Sequence, residues 1–234
     1  MKRSVLASIF IVKVLFAAPA PVAAQPEQDF AIWGALFFTG QLDQRSPSLA
    51  FWFDVQGRHN DRSTAQVLRP ALGVTLASWV SLWVGYASLL TWFDGPAERT
   101  TENRLFEQLI LKHRVRGLLL MSRTRAEQRW LKEAPGLANR FRELVRVNYR
   151  PRESVPVGIA FKDEVFFQFG GDAWAAQGFE QHRAFLGLAM YPVSKFLRVE
   201  VGYLNVFLSR DVNRMSHVLS INFFLSYPGR QRLF

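Results

Sequence analysis

The 234-residue chain contains no cysteine, only four histidines, and fewer acids than bases, with 19 Asp and Glu against 29 Lys and Arg. Without cysteine there is no disulfide framework, no thiolate chemistry, no cysteine metal site and no cysteine to carry a lipid anchor. The histidines, His59, His113, His182 and His217, are scattered, and no His/Asp/Glu spacing suits a metal. No metal and no cofactor are expected. The shortage of acid leaves a net charge of +10, a balance that in other settings indicates a nucleic-acid partner. Here the Arg residues recur at strand parity instead of forming one run, so no nucleic acid is expected.

Membrane-helix signals are also scarce. Residues 70–93 carry no charge, but Pro70, Gly73, Thr75, Ser78, Ser81, Gly85 and Ser88 spread breakers and polarity through them. A hairpin turning near Ala77-Ser78 explains the same residues as two strands of ordinary length, and Val, Trp and Thr are strand formers.

What the chain does have is alternation. Between Glu102 and Arg150 three consecutive segments place polar side chains at every second position. The first carries Glu102, Arg104, Gln108, Lys112, Arg114 and Arg116, the second Arg123, Arg125, Glu127 and Arg129, the third Arg140, Arg142, Arg146, Asn148 and Arg150. A period of two is that of a strand, whose successive side chains point to opposite faces. The other face carries Leu105, Leu109, Leu118, Leu120, Trp130, Phe141, Val145 and Val147. Segments before and after repeat the scheme: Asp54 and Arg58 oppose Phe51, Phe53 and Val55; Arg69 opposes Leu68, Leu72 and Val74; Lys162, Glu164 and Gln168 oppose Phe161, Val165 and Phe167. Gln181 and Arg183 oppose Ala184, Leu186 and Leu188, and Arg198 and Glu200 oppose Val199, Val201 and Tyr203. Asp163 falls on the apolar parity, which a β-bulge would explain. Eleven strand-like segments result. Because single-chain bacterial barrels have even strand counts, ten or twelve strands are expected, with twelve preferred.

Residues 1–24 read as a secretory signal. Lys2 and Arg3 precede an apolar stretch from Val5 to Phe16, interrupted at Lys13, and Val22-Ala23-Ala24 offers a cleavage site before Gln25. Losing Lys2, Arg3 and Lys13 would lower the net charge from +10 to +7. The expected organisation is a signal peptide, 1–24, followed by one domain, 25–234. The segments are longer than the roughly 5–6 residues of soluble strands and match the ~9–11 tilted residues needed to cross a membrane. Combined with export, this favours an all-β antiparallel transmembrane barrel in the bacterial outer membrane, apolar towards lipid and charged within. A soluble secreted β-barrel binding protein is the alternative fold assignment.

The run Glu102-x-Arg104, Glu107-Gln108, Arg123-x-Arg125-x-Glu127-Gln128-Arg129 and Arg140-x-Arg142, followed by residues 162–167, Gln181-His182-Arg183, Val201-Gly202-Tyr203 and His217-Val218-Leu219, resembles the bacterial family catalogued as domain of unknown function 2490. The resemblance covers nearly all of the mature chain and implies an outer-membrane β-barrel, but no activity and no catalytic residue. In one departure, residues 228–233 separate the last strand from the terminal Phe234, which then lies outside the barrel.

The interior set to examine is therefore Asp54, Arg58, Arg69, Glu102, Arg104, Gln108, Lys112, Arg114, Arg123, Arg125, Glu127, Arg129, Arg140, Arg142, Arg146, Lys162, Glu164, Gln181, Arg183, Arg198 and Glu200. The leading expectation is a structural barrel or narrow conduit in which Glu102, Glu127, Glu164 and Glu200 each bridge several Arg through bidentate hydrogen bonds. The surplus of Arg suggests, alternatively, a small anion-preferring pore. A lipid-modifying hydrolase would need Ser or Thr beside a His held by an acid or amide. Ser216-His217 are adjacent in a strand, hence on opposite faces, and no catalysis is expected. The expected partners are outer-membrane lipid, the barrel-assembly machinery and a small anionic solute, for a monomeric protein.

Overall fold

The computed structural model describes residues 25–42, 48–94, 99–170, 174–175, 177–192 and 196–227. The signal expected at residues 1–24 and the terminal Phe234 lie outside the described residues.

Long alternating segments become long strands. In chain order they are β1 (Glu27–Gln41), β2 (Leu49–Asn60), β3 (Ser63–Ala77), β4 (Val80–Phe93), β5 (Arg99–Val115), β6 (Leu118–Leu131), β7 (Ala138–Tyr149), β8 (Val157–Phe169), β9 (Gly178–Met190), β10 (Leu197–Leu208) and β11 (Arg214–Ser226). Each is antiparallel to its sequence neighbours, and β1 closes on β11. The seam between them is parallel and runs in unbroken register from Glu27↔Arg214 to Thr39↔Ser226.

Among the described residues the wall thus has eleven strands, and the expectation of an even number is wrong. In a meander, consecutive strands alternate direction, so an odd count brings the first and last strands to the seam pointing the same way. A parallel ladder is slightly weaker per residue than an antiparallel one. Leaving two long edges unpaired would be worse still. One consequence is topological: β1 begins at one mouth and β11 ends at the other. The mouth where β1 begins, called the first, holds the tight turn at residues 61–62; the second holds those at 78–79 and 116–117.

The uncharged residues 70–93 form the end of β3, a turn and β4, as the hairpin reading requires. No helix among the described residues is long and apolar enough to cross a membrane. At 116–117 both residues have positive φ, Arg116 at 42° and Gly117 at 80°, the conformation favoured in two-residue hairpins because its twist matches the strands. A Cβ on Gly117 would lie 2.2 Å from the Arg150 carbonyl oxygen, so the position also demands glycine for space.

Strand β7 illustrates how the pleat sorts the side chains. Ala138, Arg140, Arg142, Leu144, Arg146 and Asn148 are buried, and the residues between them face outwards. Around the wall the outer face exposes Leu72, Leu82, Val84, Ile159, Leu186 and Leu188, while the inner face is charged and closely filled. This is the reverse of a soluble barrel and is the outer-membrane type.

Two irregularities matter. Between β8 and β9 the register slips, Phe166 pairing with Gln181 but Phe167 with Phe179. Glu180 is the extra residue, and both Glu180 and Gln181 are buried. The bulge anticipated at Asp163 is therefore on the neighbouring strand, β9, at Glu180. Asp163 itself is in regular register with Ala184 and keeps its outward direction. The second irregularity lies between Thr75 and Ala77 in the β3–β4 ladder, next to the turn.

Candidate functional site: the charged interior

The interior carboxylates are bridging nodes. Glu127 is 1% exposed; its Oε2 accepts from Arg140 Nε at 2.9 Å and Nη2 at 2.5 Å, and its Oε1 accepts from Arg142 Nη1 at 2.6 Å. Glu164 Oε1 accepts from Arg123 Nη2 at 2.6 Å and from Arg142 Nη2 at 2.8 Å. Glu102 accepts from Arg104 Nε at 2.7 Å and Arg129 Nε at 2.6 Å. Glu180 takes Arg129 Nη1 at 3.1 Å and Arg140 Nη1 at 2.9 Å. A continuous chain results: Arg104–Glu102–Arg129–Glu180–Arg140–Glu127–Arg142–Glu164–Arg123, spanning β5 to β9. A second node, Glu200, pairs with Arg146, with Lys162 Nζ at 2.8 Å and with Arg198 Nε at 3.2 Å. Asp54 holds Arg69 with two bonds of 2.8 Å. This is fork geometry, which Arg supports and Lys does not.

Rings fill the space that charges leave. Arg125 lies 4.1 Å from the Phe106 ring centroid and donates Nε and Nη2 to Gln108 Oε1. Phe166 sits beneath Arg142 and Arg183, both at 4.5 Å. Such stacking lowers the cost of a buried guanidinium by offering the negative face of a ring. Gly85 makes room: a Cβ there would come within 2.3 Å of the Phe106 ring.

Among the described residues, two cavities border this network. The larger, about 210 Å³, opens at the second mouth and is bordered by Arg114, Arg150, Arg152, Arg198 and Phe224. The other, about 140 Å³, lies inside the wall among Trp33, Arg58, Arg69, Arg123, Arg142, Arg146, Lys162, Glu164 and Arg183. Phe224 borders both, stacked on Phe37 at 4.7 Å, with Arg198 at 4.2 Å and Arg146 at 4.9 Å from its ring.

The residues expected inside are there, with one exception. Arg114 is exposed at the second mouth, where β5 outlasts the wall, and does not join the network. Lys112, one turn of the pleat lower, is half-buried. Arg58 is half-buried, donating to Gln56 Oε1 at 2.9 Å and stacking on Trp33 at 4.4 Å. Missing from the sequence reading is Glu180: its parity opposes that of Gln181, and only the bulge turns both inwards. Phe106 and Phe166 were legible, since they share parity with Arg104 and Glu164.

Among the described residues, inward cations outnumber inward carboxylates. Arg58, Arg69, Arg104, Lys112, Arg123, Arg125, Arg129, Arg140, Arg142, Arg146, Lys162, Arg183 and Arg198 face Asp29, Asp54, Glu102, Glu127, Glu164, Glu180 and Glu200.

The outer face carries separate polar pairs. Asp163 Oδ2 is 2.8 Å from His182 Nε2. Ser122 and Thr124 hydroxyls each donate to Glu143 at 2.6 Å. His217 faces outwards between Tyr203, at 2.6 Å, and Gln28, at 2.7 Å, while its neighbour Ser216 is buried on the inner face. Among the described residues no three His, Asp or Glu side chains gather as a metal site.

Comparison with solved structures returns LpxR from Salmonella typhimurium, at TM-score 0.46 and 7% identity over 77% of this chain and 83% of that one. It also returns outer-membrane expressed OmpT of Vibrio cholerae, at TM-score 0.41 and 11% identity over 75% of this chain and 62% of that one. In sequence, the chain is 30% identical to an uncharacterized protein of Methylorubrum extorquens, over 96% of this chain and 98% of the other. The family model described as protein of unknown function, DUF2490, matches residues 30–216, and the chain belongs to that family.

Proposed function

We propose that the protein resides in the outer membrane and admits small anions into a narrow, side-chain-lined interior, which is shut at Phe224 in the present conformation. Its membrane placement rests on the exposed belt of Leu72, Val84, Ile159 and Leu186, apolar area that water would drive into aggregation and lipid accommodates. The single observation carrying the anion reading is the surplus of inward cations over carboxylates. Uncompensated buried ions cost several kcal/mol each, and among the described residues the inward carboxylates are fewer than the inward cations. Anions from solution offer compensation beyond that of the ring faces and amides, and a lining of Arg and Lys selects for them.

Planar-bilayer recording of the refolded protein tests this. Wild-type channels should reverse at a potential of anion-preferring sign across a salt gradient, and Phe224→Ala should raise conductance by removing the ring between the two cavities. Cation preference would refute the reading.

A sealed structural barrel is the second reading. The filled mid-lumen favours it, with Trp52, Phe106, Arg125, Glu127 and Phe166 each no more than 2% exposed. Silence of both proteins in demonstrably folded form would support that reading instead.

A further inference from the structure

Three guanidinium groups at the inner cavity have donors that no group among the described residues accepts. The Nε–H groups of Arg58, Arg123 and Arg183 are buried and lack a hydrogen-bond partner, and all three side chains line the same cavity of about 140 Å³. Buried unpaired donors cost roughly 1–3 kcal/mol, more when charged, and the side chains that carry these three meet at one cavity together with Arg69, Arg142, Arg146 and Lys162.

Their other contacts leave Arg58 and Arg183 loosely tied to the bracing network and place Arg123 at its end. Among the described residues Arg58 has no carboxylate partner; it bonds the amide of Gln56 and stacks on Trp33. Arg183 reaches Glu164 only at 3.9 Å and donates to Gln181 Oε1 at 3.1 Å. Its guanidinium carbon also lies 5.1 Å from the Trp33 centroid. Arg123 does hold Glu164, through Nη2, leaving Nε over. Among the described residues Glu164 is the one carboxylate lining the cavity, and Arg123 and Arg142 already hold its Oε1.

We infer that this cavity is a binding site for a small multivalent oxyanion of the phosphate or sulfate kind. Such an anion presents only acceptors, several of them, to donors arriving from β2, β6 and β9. A halide has no separate oxygens to distribute among the three, and a zwitterion would bring donors towards a cationic wall. The inference deepens the anion reading above and rests on it for the sign of the ligand.

The test is calorimetric titration of the refolded protein with inorganic phosphate, against chloride at matched ionic strength, with Trp fluorescence as a second readout because Arg58 covers Trp33. Saturable binding at one site is expected. The variant Arg58→Gln/Arg183→Gln should weaken it by about tenfold or more, as loss of charged donors requires. Both substitutions leave Glu164 with Arg123 and Arg142, so the barrel should still fold. If it does not, Arg58→Lys keeps the charge, loses the Nε donor and should still weaken phosphate binding. Arg114→Gln, at the exposed second mouth, should change nothing. Absence of saturable phosphate binding over chloride in folded wild type, or undiminished affinity in the cavity variants, would overturn the assignment. Phosphate binding by an electrically silent barrel would remove the conduit and keep the site. Anion-selective current without saturable binding would do the reverse.

Discussion

Replacing Glu127 by Gln removes one charge at almost constant shape from the most heavily bridged carboxylate of the network. Glu127 accepts three bonds of 2.9 Å or less from Arg140 and Arg142, and Arg125 Nη1 lies 3.5 Å away. Glutamine keeps one carbonyl acceptor and turns an NH₂ group towards the other guanidinium, where donor meets donor. Hydrogen bonds to charged groups contribute about 1.5–3 kcal/mol each, and breaking a buried ion pair from one side costs about 3–5 kcal/mol. The latter is the expected loss, because Arg140 retains Glu180 while Arg142 retains Glu164. The control is Glu107→Gln, on the outer face of the adjacent strand, which among the described residues accepts one side-chain bond, from Gln128 at 3.3 Å. Exposed polar contacts are worth ~0–1 kcal/mol, so this change should barely register. Urea titration of the protein in detergent, followed by Trp fluorescence and by the folded–unfolded gel shift, measures both. Equal midpoints for Glu127→Gln and wild type would mean that the carboxylate does not brace the guanidinium groups.

Further outcomes follow from the seam, the turn and the bulge. Because the chain lacks cysteine, Gln25→Cys and Tyr227→Cys give clean single labels; an odd-stranded wall requires a membrane-impermeant maleimide to reach them from opposite sides, whereas same-side labelling would require an even count. Gly117→Ala places a Cβ against the Arg150 carbonyl at a positive φ, and strain of this kind costs about 1–3 kcal/mol, readable in the same urea titration; an unchanged midpoint would exclude the tight turn. Glu180→Ala should cost about 1.5–3 kcal/mol, less than Glu127→Gln, since Arg129 keeps Glu102 and Arg140 keeps Glu127; a cost exceeding that of Glu127→Gln would displace Glu127 as the principal node.

The alternation of Arg140, Arg142 and Arg146 with Phe141, Val145 and Val147 determined by itself that β7 exists, which face is charged and which is apolar. Period-two patterning is local, and a pleated strand converts it directly into two faces. The same logic made the strands of residues 70–93, the inward Phe106 and Phe166, and the number of segments legible along the chain. Tertiary structure decided how those segments meet. The parallel seam between β1 and β11 joins residues nearly the whole chain apart, and nothing near either strand announces it. Which guanidinium reaches which carboxylate is likewise a matter of register between strands: Arg129 meets Glu180 across two intervening strands. Glu180 itself could not be placed from parity, since one unpaired residue between Phe179 and Gln181 reverses the direction of its side chain. Nor could the unshared donors of Arg58, Arg123 and Arg183 be foreseen. Whether a guanidinium is satisfied depends on every neighbour across the lumen, and barrel closure alone fixes that set.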